Sequence, residues 1–139
     1  MTAARWYVLI EEDTRMTKHA DGVEFRLHRW TLVATHPVDG TEEDARAVAE
    51  EAALKHLPDL LARHARPGDV PARQAYRTSD GSWLVRLSQQ HRECHLRVTT
   101  ARLVHVVEGT DAPPKTFRQK LRTALDGPDP APAPWAPGA

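Results

Sequence analysis

The sequence predicts an α+β fold: a mainly antiparallel sheet of four to six strands with one long helix packed on a face. Three observations carry this. Short segments of alternating apolar and polar residues stand on both sides of a single long stretch with helical periodicity. Asp21-Gly22 and Asp80-Gly81 are turn signals, the second a strong one for a hairpin. Hairpin-type connections therefore dominate, and they join antiparallel neighbours. The expected order is β-β-α-β-β-β-α.

Trp6-Tyr7-Val8-Leu9-Ile10 is a short run of aromatic and β-branched residues, which reads as a buried strand. Residues 11–22 are polar and end in the Asp-Gly turn. In the next strand Val23, Phe25 and Leu27 alternate with Glu24 and Arg26, and then Trp30, Leu32 and Ala34 carry the apolar face. That change of parity near His28-Arg29 predicts a β-bulge. A helix starts at Thr41, whose hydroxyl caps the first turn, with Glu42, Glu43 and Asp44 at the positive end of the dipole. Ala45, Val48, Ala49 and Ala52 make its apolar stripe, and Glu51 and Lys55 pair on the outside. Pro58 kinks this helix or starts another, in which Leu57, Leu60 and Leu61 face inward.

The second half reads as strands. Residues 73–78 lead into the Asp80-Gly81 turn, after which Trp83, Val85 and Leu87 alternate with Leu84, Arg86 and Ser88. Beyond a polar loop, Cys94, Leu96 and Val98 alternate with His95, Arg97 and Thr99. Residues 103–107 form a further strand or continue the same one. Pro113-Pro114 precedes a short helix with an apolar seam of Phe117, Leu121 and Leu125. One α+β domain is expected over residues 1–126, and a disordered proline- and alanine-rich tail over 127–139.

The chain of 139 residues is long enough for one domain with a true core, and 40% hydrophobic against 27% charged is an ordinary balance for a soluble protein. No apolar run approaches the roughly 18 residues of a membrane helix. The N-terminal apolar run of five residues is closed by three acids, unlike a secretory signal. With one cysteine there is no internal disulfide, so a cytoplasmic setting is expected. Arginine outnumbers lysine 15 to 4, which we read as the codon bias of a GC-rich, bacterial genome. The net charge is zero but unevenly placed: residues 1–70 carry −4, residues 71–127 carry +5, and Asp129 restores neutrality. Either the halves neutralise one another on packing, or a basic binding face results.

The segment QHRECHLRV places the only cysteine in a His-x-x-Cys-His arrangement at His91, Cys94 and His95. Side chains along a strand alternate between its faces. Cys94 shares parity with Leu96 and Val98, whereas His91 and His95 share it with Glu93 and Arg97. Thiol and imidazoles should therefore point apart, which favours a buried structural cysteine over a nucleophile or zinc ligand. The remaining histidines are scattered, and neither phosphate-loop, dinucleotide nor nucleophile-elbow motifs occur. Glu11-Glu12-Asp13 follows a strand and reads as a solvated strand end. No catalytic residue, cofactor or metal ligand is indicated, and the enzyme question stays open, leaning to no.

Candidate contact residues are of two kinds. Arg86 and Arg97 fall on the sheet face opposite the apolar one, and Lys115, Arg118, Lys120 and Arg122 cluster on the last helix. Such groups bind phosphates, although the stacking aromatics of nucleic-acid platforms are represented mainly by Tyr76. The apolar seam with Phe117 and Leu121, together with Trp135 alone in the tail, suits a protein partner. The expected function is a non-enzymatic accessory or adaptor protein acting through protein contacts, with a protein partner or a homodimer. The alternative is nucleic-acid binding through the arginine face and the basic last helix. A third is a small-molecule or catalytic pocket between sheet and helix, walled by Trp30, Tyr76 and Trp83.

Overall fold

The structure is a computed structural model that describes residues 5–128, 131 and 133–138. Of the proline-rich tail, residues 129, 130, 132 and 139 lie outside the described residues. The chain divides into two compact units, Met1–His105 and Val106–Ala139. Its α+β class, antiparallel sheet and helix packing are those expected.

The first unit holds β1 (Trp6–Ala20), β2 (Val23–Val38), α1 (Glu42–Lys55), α2 (Asp59–His64), β3 (Ala72–Arg77), β4 (Trp83–Gln89) and β5 (Arg92–Arg102). The strands form one sheet in the order β2-β1-β5-β4-β3, with every described pairing antiparallel. β5 lies at the centre between β1 and β4, and β2 and β3 are the edges. The second unit contains α3 (Phe117–Asp126). Among the described residues no helix is long and apolar enough to cross a membrane.

Parity builds the core. Val8 and Ile10 of β1, Val85 and Leu87 of β4, and Cys94, Leu96 and Val98 of β5 share the face under α1. Leu87 and Leu96 are fully buried, each contributing about 1.5–3 kcal/mol. α1 meets them with small residues, Ala45, Ala49 and Ala53, so its backbone approaches the sheet closely. The stripe therefore differs from the expected one. Alanines four apart lie nearest the sheet, and the bulkier Val48 is displaced to the rim and exposed. Thr41 does cap α1, in a reciprocal capping box with Asp44, and Lys55 bonds Glu51.

Helix and loop boundaries bring further corrections. α1 ends at Lys55, and the extended backbone of its C-cap, His56, puts Leu57 in the link between helices, where it is exposed. Pro58 starts α2, as one of the two expected outcomes, and there Leu61 is buried while Leu60 packs at the core margin. Residues 103–107 are not a strand; β5 ends at Arg102. The bulge falls not at His28-Arg29 but at Val33, because Ile10 pairs Ala34 while Glu11 pairs Leu32.

The largest correction concerns residues 11–20, which are strand. β1 pairs β2 along its whole length, from Trp6 opposite Val38 to Ala20 opposite Val23. Asp21 and Gly22, with φ of 52° and 75°, make a two-residue turn of the type that matches strand twist. β1 pairs β5 only as far as Glu12 opposite Leu96. Residues 13–20 and 23–30 thus leave the sheet as a two-stranded ribbon, roughly 27 Å long at about 3.4 Å per residue.

Candidate functional site

Three regions bear on function: the sheet face opposite the helices, the ribbon that β1 and β2 form beyond the sheet, and α3.

On the open face, Glu11 and Asp13 of β1 stand beside Trp30 and His28 of β2 and Glu93, His95 and Arg97 of β5, with Arg86 on β4. Arg86 and Arg97 are where parity places them, yet neither offers an unmatched charge. Arg86 Nε donates to Glu93 Oε1. Arg97 lies 3.6 Å from Glu11 Oε1, and its guanidinium sits 4.5 Å over the Trp30 ring, a cation–π geometry. Asp13 takes both imidazoles: His28 Nδ1 at 3.1 Å and His95 Nδ1 at 3.3 Å, with His95 Nε2 3.8 Å from Glu93. Three carboxylates meet two guanidiniums and two imidazoles. The face is a neutralised network, and each exposed pair adds ~0–1 kcal/mol.

The His-x-x-Cys-His segment does not converge. Gln90 and His91, with φ of 52° and 63°, form the two-residue turn between β4 and β5, so the expected polar loop is a tight hairpin. Cys94 lies on the core face at 4% exposure, whereas His95 lies on the open face against Asp13. Among the described residues no group of three His, Cys, Asp or Glu could hold a metal ion.

The expected pocket walled by Trp30, Tyr76 and Trp83 is not formed. Trp83 pairs Arg77 and Val98 on the helix side, while Trp30 and Tyr76 lie on the opposite face. Trp83 instead borders a groove of about 310 Å³ beneath α1, shared with Arg46, Glu50 and Arg77. A second cleft, of about 270 Å³, opens where the ribbon diverges from β5, bounded by Asp13, His28, Pro58, Arg63, Glu93 and Cys94. Both lie near or below the lower limit of ligand sites, about 300 Å³.

The ribbon was not anticipated as a site. Val23, Phe25 and Leu27 project from one of its faces and are 52%, 47% and 44% exposed. Leu32, Val33 and Trp30 follow them along the same edge strand and are exposed too. A signal for it does exist. A two-residue Asp-Gly turn pairs its flanks residue for residue, so a strand running from Val23 to Val38 requires a partner running back from Ala20.

In the second unit, Thr116 and Gln119 form a capping box that starts α3. Phe117, Leu121 and Leu125 are exposed, as are Arg118, Lys120 and Arg122. Lys115 Nζ donates to Thr123 Oγ1 at 3.0 Å. Trp135 is exposed. Phe117, Leu121, Leu125, Arg118, Lys120 and Arg122 lie on α3, whereas Lys115 precedes its N-cap Thr116 and is not on the helix.

Comparison with protein-family models, curated proteins and solved structures gives no match to this chain.

Proposed function

We propose that this protein is a non-enzymatic adaptor that acts through protein–protein contacts, with the β1–β2 ribbon as its principal contact element. The observation that carries the reading is the ribbon itself. It is a long edge strand with an unpaired outer side and a row of exposed apolar residues, the kind of edge that accepts another strand. The neutralised open face supports the same choice, because Arg86 and Arg97 are already matched by Glu93 and Glu11. The reading places the protein in the cytoplasm, where the buried Cys94 thiol stays reduced.

The test is photocrosslinking in cells from single positions on the ribbon and on the open face. A photoreactive residue at Phe25 or Leu27 is expected to capture protein, and one at Arg86 to capture none. If positions 25 and 27 capture no protein at all, the reading is wrong.

A second reading, nucleic-acid binding, is favoured by one observation. Lys115, Arg118, Lys120 and Arg122 stand within a stretch that holds no acid, and the three on α3 are exposed. This reading predicts binding that weakens steeply with salt and disappears on reversing Arg118 and Arg122.

A further inference from the structure

We infer that the ribbon's partner is a second copy of this chain, docked antiparallel along β2 about a two-fold axis through Phe25. The inference rests on the reading of the ribbon as a contact element and names what it contacts.

The hydrogen-bonding phase comes first. Ala20 and Val23 flank the two-residue turn and form the narrow hydrogen-bonded pair of the hairpin. Backbone groups alternate from there, so Val23, Phe25 and Leu27 direct their amides and carbonyls toward β1. Glu24, Arg26 and His28 direct theirs outward, along the unpaired edge. A second strand must therefore be met at Glu24, Arg26 and His28.

The register follows from charge. An antiparallel pair of identical strands can bring outward groups together only in steps of two residues, because odd steps reverse the faces. With Phe25 on the axis, Glu24 of each copy faces Arg26 of the other, two ion pairs flanking the centre. Val23 then faces Leu27, and Phe25 faces Phe25. Asp21 in the turn comes opposite Arg29. Moving the axis to Glu24 sets carboxylate against carboxylate; moving it to Arg26 sets guanidinium against guanidinium. Like charges directly opposite are destabilising. The stretch Val-Glu-Phe-Arg-Leu thus reads the same in apolar and charged character from either end, with acid and base exchanged. That is the self-complementarity a two-fold interface demands.

The arrangement also accounts for the exposure of the apolar row. In the paired state Val23, Phe25 and Leu27 of both copies form one six-residue cluster on a single face of a continuous sheet. An edge that would otherwise stay unsatisfied along the ribbon is closed.

The experiment is sedimentation equilibrium of the full chain from micromolar to millimolar concentration, with charge-swap variants. Wild type is expected to dimerise. Arg26→Glu, which places acids opposite one another at both positions, should weaken dimerisation about tenfold or more. Glu24→Arg combined with Arg26→Glu restores the opposite pairing and should recover it to within about threefold. Both positions are exposed, and circular dichroism checks that each variant is folded. Independently, Phe25→Cys should form an intermolecular disulfide on mild oxidation, since directly opposed residues of a non-hydrogen-bonded pair stand about 4.5 Å apart at Cα. Leu27→Cys should not, because its symmetry mate lies about 14 Å away along the strands. A wild type that stays monomeric throughout, or a dimer indifferent to Arg26→Glu, overturns the inference. If the wild type is monomeric while position 25 captures a different protein in cells, the self-pairing fails and the contact role of the ribbon stands. If position 25 captures nothing, both fall.

Discussion

His56 Nε2 and Glu12 Oε1 lie 3.0 Å apart, joining the C-cap of α1 to the middle of β1. Glu12 is the one buried charged residue described, and it sits beside Leu96 on the core face. A buried carboxylate keeps its place only with a partner, because burying one alone carries a large desolvation cost. His56→Ala should therefore cost about 1–3 kcal/mol, and Glu12→Gln, which retains an acceptor, less. Denaturant unfolding measures both; equal stability of wild type and His56→Ala would show that Glu12 finds water instead.

Arg73 of β3 clamps the same helix end from the other side. Its two terminal nitrogens donate to the carbonyls of Ala53 at 2.8 Å and His56 at 2.7 Å, filling acceptors that a helix C-terminus leaves open. Burial lowers the pKa of the guanidinium below its ordinary value, but arginine stays protonated at every accessible pH. Arg73→Met, which keeps the stem and removes the fork, should lose about 1–3 kcal/mol. Arg73→Lys should recover only part of that, since an ammonium cannot reach both carbonyls in the same planar geometry. The loss should be the same in mild acid and mild alkali; a strong pH dependence would contradict a permanently charged clamp.

Asp80 in the β3–β4 turn accepts bonds from the Ser82 hydroxyl, the Thr78 hydroxyl and the Ser82 amide, which hold its pKa down to about 2. A carboxyl whose folded pKa is depressed adds stability above its unfolded value, near 3.8, and loses it as pH falls toward 2. The difference in stability between wild type and Asp80→Asn should therefore shrink across that window. Carboxyl NMR gives the direct check, and a midpoint for Asp80 near 3.8 would mean the turn is open in solution.

Cys94 should react with an alkylating agent about a hundredfold more slowly in the native protein than in denaturant, because the reagent must wait for local opening. Equal rates would place the thiol outside the core and undo the pairing of Leu87 with Cys94.

Much of the chain was legible because its signals are local. The cap at Thr41, the Glu51–Lys55 pair, the Asp80-Gly81 turn and the opposed parity of Cys94 and His95 each depend on residues a few positions apart. The errors share a cause as well. Residues 11–20 contain almost no apolar alternation, and beyond Glu12, where pairing with β5 ends, their strand conformation comes with backbone pairing to β2. The bulge at Val33 depends on the register with β1, and the exposure of Val48 and Leu57 on how closely α1 approaches the sheet. None of these is encoded within a window of neighbouring residues.

By itself, then, the sequence determined the class, the capping of α1 and the alternation of β4 and β5, because periodicity and capping act over a few neighbouring residues. Only the tertiary structure decided which charges meet. Glu11, Asp13 and Glu93 come from distant segments, and they turn an apparent arginine face into a matched network with Arg86, Arg97, His28 and His95. It also decided where the sheet stops covering its own strands. β5 pairs β1 no further than Glu12, and the unpaired length beyond it becomes the ribbon that presents Phe25.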